Sequence, residues 1–164
     1  MPFTPFHFGP GLAFGLLFRK YFHTPTFILA NLIVDIEPFI ILVLSLDLPL
    51  HWFFHSLVGA LTLGLILSFF MFMTRNIFRP LFMSLKIEFI KNDEFKSYLL
   101  AGILGVLFHI FLDYPIYSDI KPFFPIDFNP FYNPSITHEI YLFCILTFII
   151  GLIEYIIIII KKTG

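Results

Sequence analysis

Long stretches free of Asp, Glu, Lys and Arg organise this chain. The longest runs from 48 to 74, between Asp47 and Arg75. A second covers 139–160, opening on Glu139, interrupted by Glu154 and closed by Lys161 and Lys162. A third, SYLLAGILGVLFHIFL (97–112), is about one membrane crossing if its flanks contribute. The stretch 21–46 is also long enough, but Asp35, Glu37 and Pro38 sit in its middle. About 20 apolar residues suffice to cross a bilayer as a helix. The pattern therefore predicts four spanning helices. Residues 9–18 are apolar but short and predict a short N-terminal helix. Pro38 has no N–H to donate, so a kink or break is expected near Asp35–Glu37.

Composition agrees with a lipid-facing chain. It is 59% hydrophobic, 20% aromatic and 13% charged, against roughly 25% charged in an ordinary soluble domain. The expected fold is all-α, a polytopic transmembrane helix bundle forming one integral membrane domain over residues 1–164. The expected location is the cell membrane, with several passes and with membrane lipids as partners. A net charge of −1 and the absence of a basic stripe argue against a nucleic-acid partner. Cys144 is the single cysteine, which excludes an intrachain disulfide and a thiolate metal cluster. The N-terminal MPFTPFHFGPG lacks a positive leader region and is expected to stay in the mature protein.

Basic residues suggest an orientation. With the N-terminus outside and the 9–18 segment crossing, Arg19 and Lys20, the set Arg75, Arg79, Lys86, Lys91 and Lys96, and the pair Lys161–Lys162 all fall on one side. The positive-inside tendency makes that side cytoplasmic. The 46–52 turn and the 114–137 loop then lie outside with Lys121 as their basic residue. The loop is rich in Pro and aromatics and long for a helix connection, which suits either a lid or an interfacial plug.

Several ionisable residues interrupt the apolar runs. A charge deep in a bilayer costs about 2.5–3.5 kcal/mol on insertion scales and usually marks function. His51 and His55 in HWFFHS are spaced i, i+4, and so are His109 and Asp113 in FHIFLD. On helices each pair would share a face and could grip one ion. Asp35 and Glu37 are two apart, so they could face one site only if the backbone unwinds. His7 lies on the same expected face. The candidate metal ligands are therefore His7, Asp35, Glu37, His51, His55, His109 and Asp113. Glu37, Asp35 and His51 are also candidates for catalytic roles, as general base or second-layer groups. Packing histidines and an interhelical His–Asp salt bridge are the bland readings of the same residues. Glu154 reads as an interhelical contact, His138–Glu139 as a helix N-terminal feature and His23 as loop.

Imidazole plus carboxylate without thiolate suits a divalent metal, Zn²⁺ first, with Mn²⁺ or Fe²⁺ alternatives. Seven candidates exceed the needs of one tetrahedral ion, so one or two ions are expected. Such a centre could activate water against an ester. The alternative is a non-enzymatic membrane protein, a transporter or ion-binding subunit, whose buried His and carboxylates pass ions or protons.

The order of these motifs resembles that of the bacterial and archaeal membrane-bound, predicted metal-dependent hydrolases, some described as LexA-regulated. His7 in TPFHFGPG, Asp35 and Glu37 in VDIEP, His51 and His55 in HWFFHS, and His109 and Asp113 in FHIFLDYP carry the resemblance, with an echo in IKPFFP (120–125). It covers about residues 5–126. Glu37 stands where the second aspartate is usual, and Trp52 where a basic residue is usual. More remotely, the His/Asp set is similar to that of zinc-dependent phospholipases C. The resemblance implies a membrane hydrolase acting on a lipid or other membrane-associated (phospho)ester.

Overall fold

The apolar runs fold as helices in a computed structural model that describes residues 5–88 and 94–163. Among the described residues there is no strand. A 3-10 turn (Pro5–His7) leads into α1 (Phe8–Leu17). It is followed by α2 (Thr24–Ile33), α3 (Ile36–Val43), α4 (Leu57–Met73), α5 (Arg75–Ser84), α6 (Phe95–Asp113) and α7 (Thr137–Thr163). Three stretches are long and apolar enough to cross a membrane: Thr24–Val43, Phe95–Asp113 and Pro134–Lys161. A fourth is reached only if α4 and α5, bent 84° from one another, count as one broken span. The expectation of four spans is therefore met as three, or up to four.

The shortfall comes from polar contacts made by another segment. The run 48–74 does not begin as helix, and His51 and His55 do not sit on one, contrary to the expectation from their spacing. The Glu37 carboxylate accepts the Trp52 and Phe54 N–H groups at 3.1 and 2.9 Å, holding this stretch as a turn. The helix starts only after Ser56, whose Oγ accepts the Gly59 N–H at 3.0 Å in an ordinary N-cap.

Pro38 produces a break where one was expected. It cannot donate to the Val34 carbonyl, and the Glu37 N–H takes that acceptor instead at 3.1 Å. The tightened backbone also directs the Asp35 N–H to Leu32 O at 3.3 Å. The Asn31 carbonyl is thereby released from the helical ladder. α2 and α3 still run on as one span-length stretch, but Asp35 and Glu37 both turn inward and are buried.

α6 is the central element, packed on α4 and α2, while α1 joins α2 to α7. Close approach depends on glycine at Gly102 and Gly105. A Cβ on Gly102 would run into Ser68 Oγ and the Gly64 carbonyl. One on Gly105 would meet Ala30 Cβ and, at 2.9 Å, the Phe27 carbonyl. Small residues at such crossings let membrane helices pack backbone to backbone. The outside is apolar: α4 exposes Ile66 and Phe69, and α7 exposes Ile149, Ile153 and Ile157. The polar groups are inside, which agrees with a membrane location.

The two ends of the bundle differ. At one end the His23 N–H bonds Ser97 O (3.2 Å), and the Tyr155 hydroxyl bonds Leu85 O (2.8 Å). Arg19, Lys20, Arg75, Lys86 and Lys96 belong to the segments gathered there. His23 caps α2 at this end: its Nδ1 accepts the Thr26 N–H, and Nε2 bonds Glu88 at 3.1 Å. At the other end, segments 44–56 and 114–133 fold over the tips of α4 and α6. The Leu57 N–H bonds Pro122 O at 2.9 Å, and the Asn129 amide donates to the Tyr114 and Tyr117 carbonyls at 2.9 and 3.2 Å.

Candidate metal centre

Beneath that cover lie Asp35, His55, His109 and Asp113, all buried, each offering one ligand atom within 4.8 Å of the others. Three parts of the fold supply them: the α2–α3 break, the turn before α4, and α6, which gives one residue from each of two successive turns. His109 and Asp113 share a face of α6, as their i, i+4 spacing requires. The His109 Nε2 lies 3.1 Å from Asp113 Oδ2 and 3.6 Å from Asp35 Oδ1, and the His55 Nε2 lies 3.7 Å from Asp113 Oδ2. A tetrahedral site with zinc–nitrogen bonds near 2.0–2.1 Å has donor–donor edges of about 3.3 Å. These three separations bracket that value, and all four ligand atoms lie within 4.8 Å of one another.

The tautomers are set from behind. The His109 Nδ1–H donates to the Asn31 carbonyl at 2.7 Å, the acceptor released by the α2–α3 break. The His55 Nδ1–H donates to Glu37 Oε2 at 2.9 Å. With Nδ1 committed, each ring turns its Nε2 lone pair inward. Both Nε2 atoms are buried and make no hydrogen bond. A buried polar atom without a partner costs about 1–3 kcal/mol, and two converge here beside two carboxylates. Two buried anions without a counter-charge cost several kcal/mol each. A divalent cation would engage both lone pairs and cancel both charges. The residues present therefore fit a metal ion, and the carbonyl or carboxylate behind each histidine is the usual second layer of such sites.

The remaining candidates have other positions. His7 stacks on His109 with ring centroids 3.8 Å apart and places Nε2 3.1 Å from Asp113 Oδ1. Its Nδ1 is buried without a hydrogen-bond partner. It is beside the four-residue group rather than in it. Glu37 has both oxygens engaged by the Trp52 and Phe54 main chain and the His55 ring, which makes it a positioning group in this geometry. His51 lies one ring away, 4.7 Å centroid to centroid from His55, and pairs with Asp119 through Nδ1 at 3.0 Å. Its main-chain N–H also bonds Asp119 at 3.1 Å, and its ring stacks on Tyr117 at 4.0 Å. Partial burial alone would push the Asp119 carboxyl up. The two bonds from His51 outweigh it and hold the group below the usual carboxylate range.

Asn31, Asp119 and Tyr117 carry parts of this arrangement and were not singled out by the sequence pattern. Asn31 had a readable signal, a lone amide in the apolar ILANLIV. Asp119 sits in a loop whose aromatics and prolines dominate its pattern. Glu139 stands in the first turn of α7, as expected of an acidic residue at a helix N-terminus. The chain matches no protein-family model, no curated protein and no solved structure.

Proposed function

We propose that this chain is a membrane-embedded, metal-dependent hydrolase acting on an ester of a lipid or other membrane-associated molecule. One observation carries the reading: the buried Asp35–His55–His109–Asp113 group, with both Nε2 lone pairs unpartnered and both Nδ1 atoms fixed by Glu37 and Asn31. A divalent ion held there supplies a Lewis acid for an ester oxygen and acidifies a water molecule. Its donor set of imidazole and carboxylate favours zinc, with manganese or iron as alternatives.

The protein's own groups divide the remaining work. Asp35, His55, His109 and Asp113 hold the ion, and Glu37 and Asn31 keep the imidazoles in the right tautomer. His7, whose Nε2 lies 3.1 Å from Asp113 Oδ1 and whose Nδ1 has no hydrogen-bond partner, is placed to take or give a proton during ester cleavage. Folded segments 44–56 and 114–133 limit water at the site. The basic end of the bundle faces the cytoplasm under the positive-inside tendency, so the site faces the extracytoplasmic leaflet. The resemblance of the motif order to that of the predicted membrane-bound metal-dependent hydrolases is in keeping with the same activity.

Elemental analysis of purified protein tests the reading. About one equivalent of bound divalent metal, lost in His109→Ala, is the expected result. It should be accompanied by chelator-sensitive cleavage of a phosphate or carboxylic ester, abolished in Asp113→Asn. Substoichiometric metal that is indifferent to His109→Ala overturns it.

A further inference from the structure

A narrow slit reaches the centre from the side of the bundle. It runs between the 3-10 turn and the start of α7, and its wall includes His7 and Asp113 together with Tyr117 and Tyr141. Its free volume is only about 10 Å³, enough for about one water-sized sphere. Two residues of its wall, Phe6 and Cys144, also belong to a second cavity. That cavity is an open groove of about 310 Å³ on the outer face of α1 and α7, lined by Phe6, Phe8, Cys144, Ile145 and Phe148. The Phe6 ring meets Tyr141 edge-on at 5.0 Å, at the junction of groove and slit.

We propose that this groove and slit form the lateral route and binding site of the substrate, and that the substrate is a phospholipid of the surrounding leaflet. The inference rests on the hydrolase reading above and names its substrate class. One acyl chain lies in the groove, and the headgroup ester reaches His7 and Asp113 once the Phe6 and Tyr141 rings part and widen the slit beyond its resting size. The chemistry of the lining divides in the same way as the ligand. The groove offers aromatic and aliphatic side chains with no charged group, while the slit ends on an imidazole and a carboxylate. Its surroundings supply the occupant, since α7 is long and apolar enough to span the membrane and exposes Leu142, Ile145 and Ile149 to it. Two larger apolar grooves lack this continuity. One of about 440 Å³ is lined by Phe14, Phe18, Phe22, Phe27 and residues of α6, and one of about 500 Å³ by Leu65–Met73 of α4. Neither shares a residue with the slit or the cluster.

The test is photolabelling of detergent-solubilised, zinc-supplemented protein with phosphatidic acid carrying a diazirine in one acyl chain, mapped by mass spectrometry. Label on residues 141–150 should saturate and be displaced by excess unlabelled phosphatidic acid, whereas label on α4 should rise in proportion to lipid. Ile145→Trp fills the groove at an exposed position and should lower the saturable label about tenfold by displacing methylene contacts. Ile66→Trp on α4 should leave it unchanged, with zinc content the same in both variants. Non-saturable label on α7, or saturable label indifferent to Ile145→Trp, overturns the proposal. Displacement in the wild-type protein decides the matter where the variant does not purify. Failure of the hydrolase reading shows separately, as saturable labelling without metal-dependent ester cleavage.

Discussion

His109 donates its Nδ1–H to the main-chain carbonyl of Asn31 at 2.7 Å, joining the last turns of α6 to the point where α2 breaks. Pro38 makes the carbonyl available, because the shift it forces at Val34 redirects the Asp35 N–H to Leu32. One backbone defect thus turns Asp35 toward the centre and supplies the acceptor that orients His109.

That coupling gives the first prediction. Pro38→Ala restores a donor for Val34 O, so α2 and α3 should join as one regular helix. Helix content by circular dichroism should hold or rise. Metal content should nevertheless fall, because Asn31 O returns to the helical ladder and Asp35 rotates away. Retained metal with a continuous helix would separate the two events.

A second prediction concerns Glu37. Glu37→Gln keeps the side chain's size but removes its charge and an acceptor for the Trp52, Phe54 and His55 donors. Groups behind metal-binding histidines are typically worth 10–100-fold in affinity. Zinc affinity by competition with a chelating dye should fall by about that factor, while Asp113→Asn, which removes a ligand, should fall further. Equal effects would place Glu37 on the ion itself.

The legible and illegible parts of the site divide along a physical line. FHIFLD was readable because its i, i+4 spacing acts within one helix, and α6 extends to Asp113. HWFFHS has the same spacing but the wrong backbone. Its two histidines come near each other because Glu37, 15 to 18 residues away in sequence, captures the N–H groups a helix would use. A periodicity argument contains no term for such a long-range acceptor. The same blindness explains the span count, since the polar contacts that shorten α4 are made by another segment. The break at Asp35–Glu37 was readable because proline acts locally. Asp119 was hidden because its partner lies 68 positions away in the chain, and the visible Asn31 amide did not reveal that its main-chain carbonyl serves His109, 78 positions away.

The cover over the site should loosen with acid. The Asp119 carboxyl is held below its usual range by His51. A depressed carboxylate adds stability that is fully present above its unfolded value of about 3.9 and is lost as pH falls through the folded value. The melting temperature of wild type minus that of Asp119→Asn should be positive at about pH 5, shrinking toward zero in stronger acid. The carboxylate is about one-third exposed, 36%, so the difference should be modest and should fall with salt. A difference that grows as pH falls would contradict the pairing.

The last prediction separates positioning from ligation at the α2–α6 crossing. Gly105→Val carries no ligand and lies one turn of α6 before His109. Its Cβ would press on Ala30 and on the Phe27 carbonyl, so α6 must move away from α2. Overpacking of this kind typically costs 1–3 kcal/mol, read as a lower melting temperature in detergent. Displacing α6 also lengthens the 2.7 Å His109–Asn31 bond, so metal affinity should fall although all four ligands remain. Gly102→Ala provides the contrast. Its added Cβ meets Ser68 and the Gly64 carbonyl at the α4–α6 contact, farther along α6 from His109. It should lower the melting temperature comparably while leaving metal affinity closer to wild type. If both variants lose metal in proportion to stability, the centre depends on global folding alone and the Asn31–His109 link has no separate role. If Gly105→Val loses disproportionately more, the distance between α2 and α6 is itself a determinant of how tightly the ion is held.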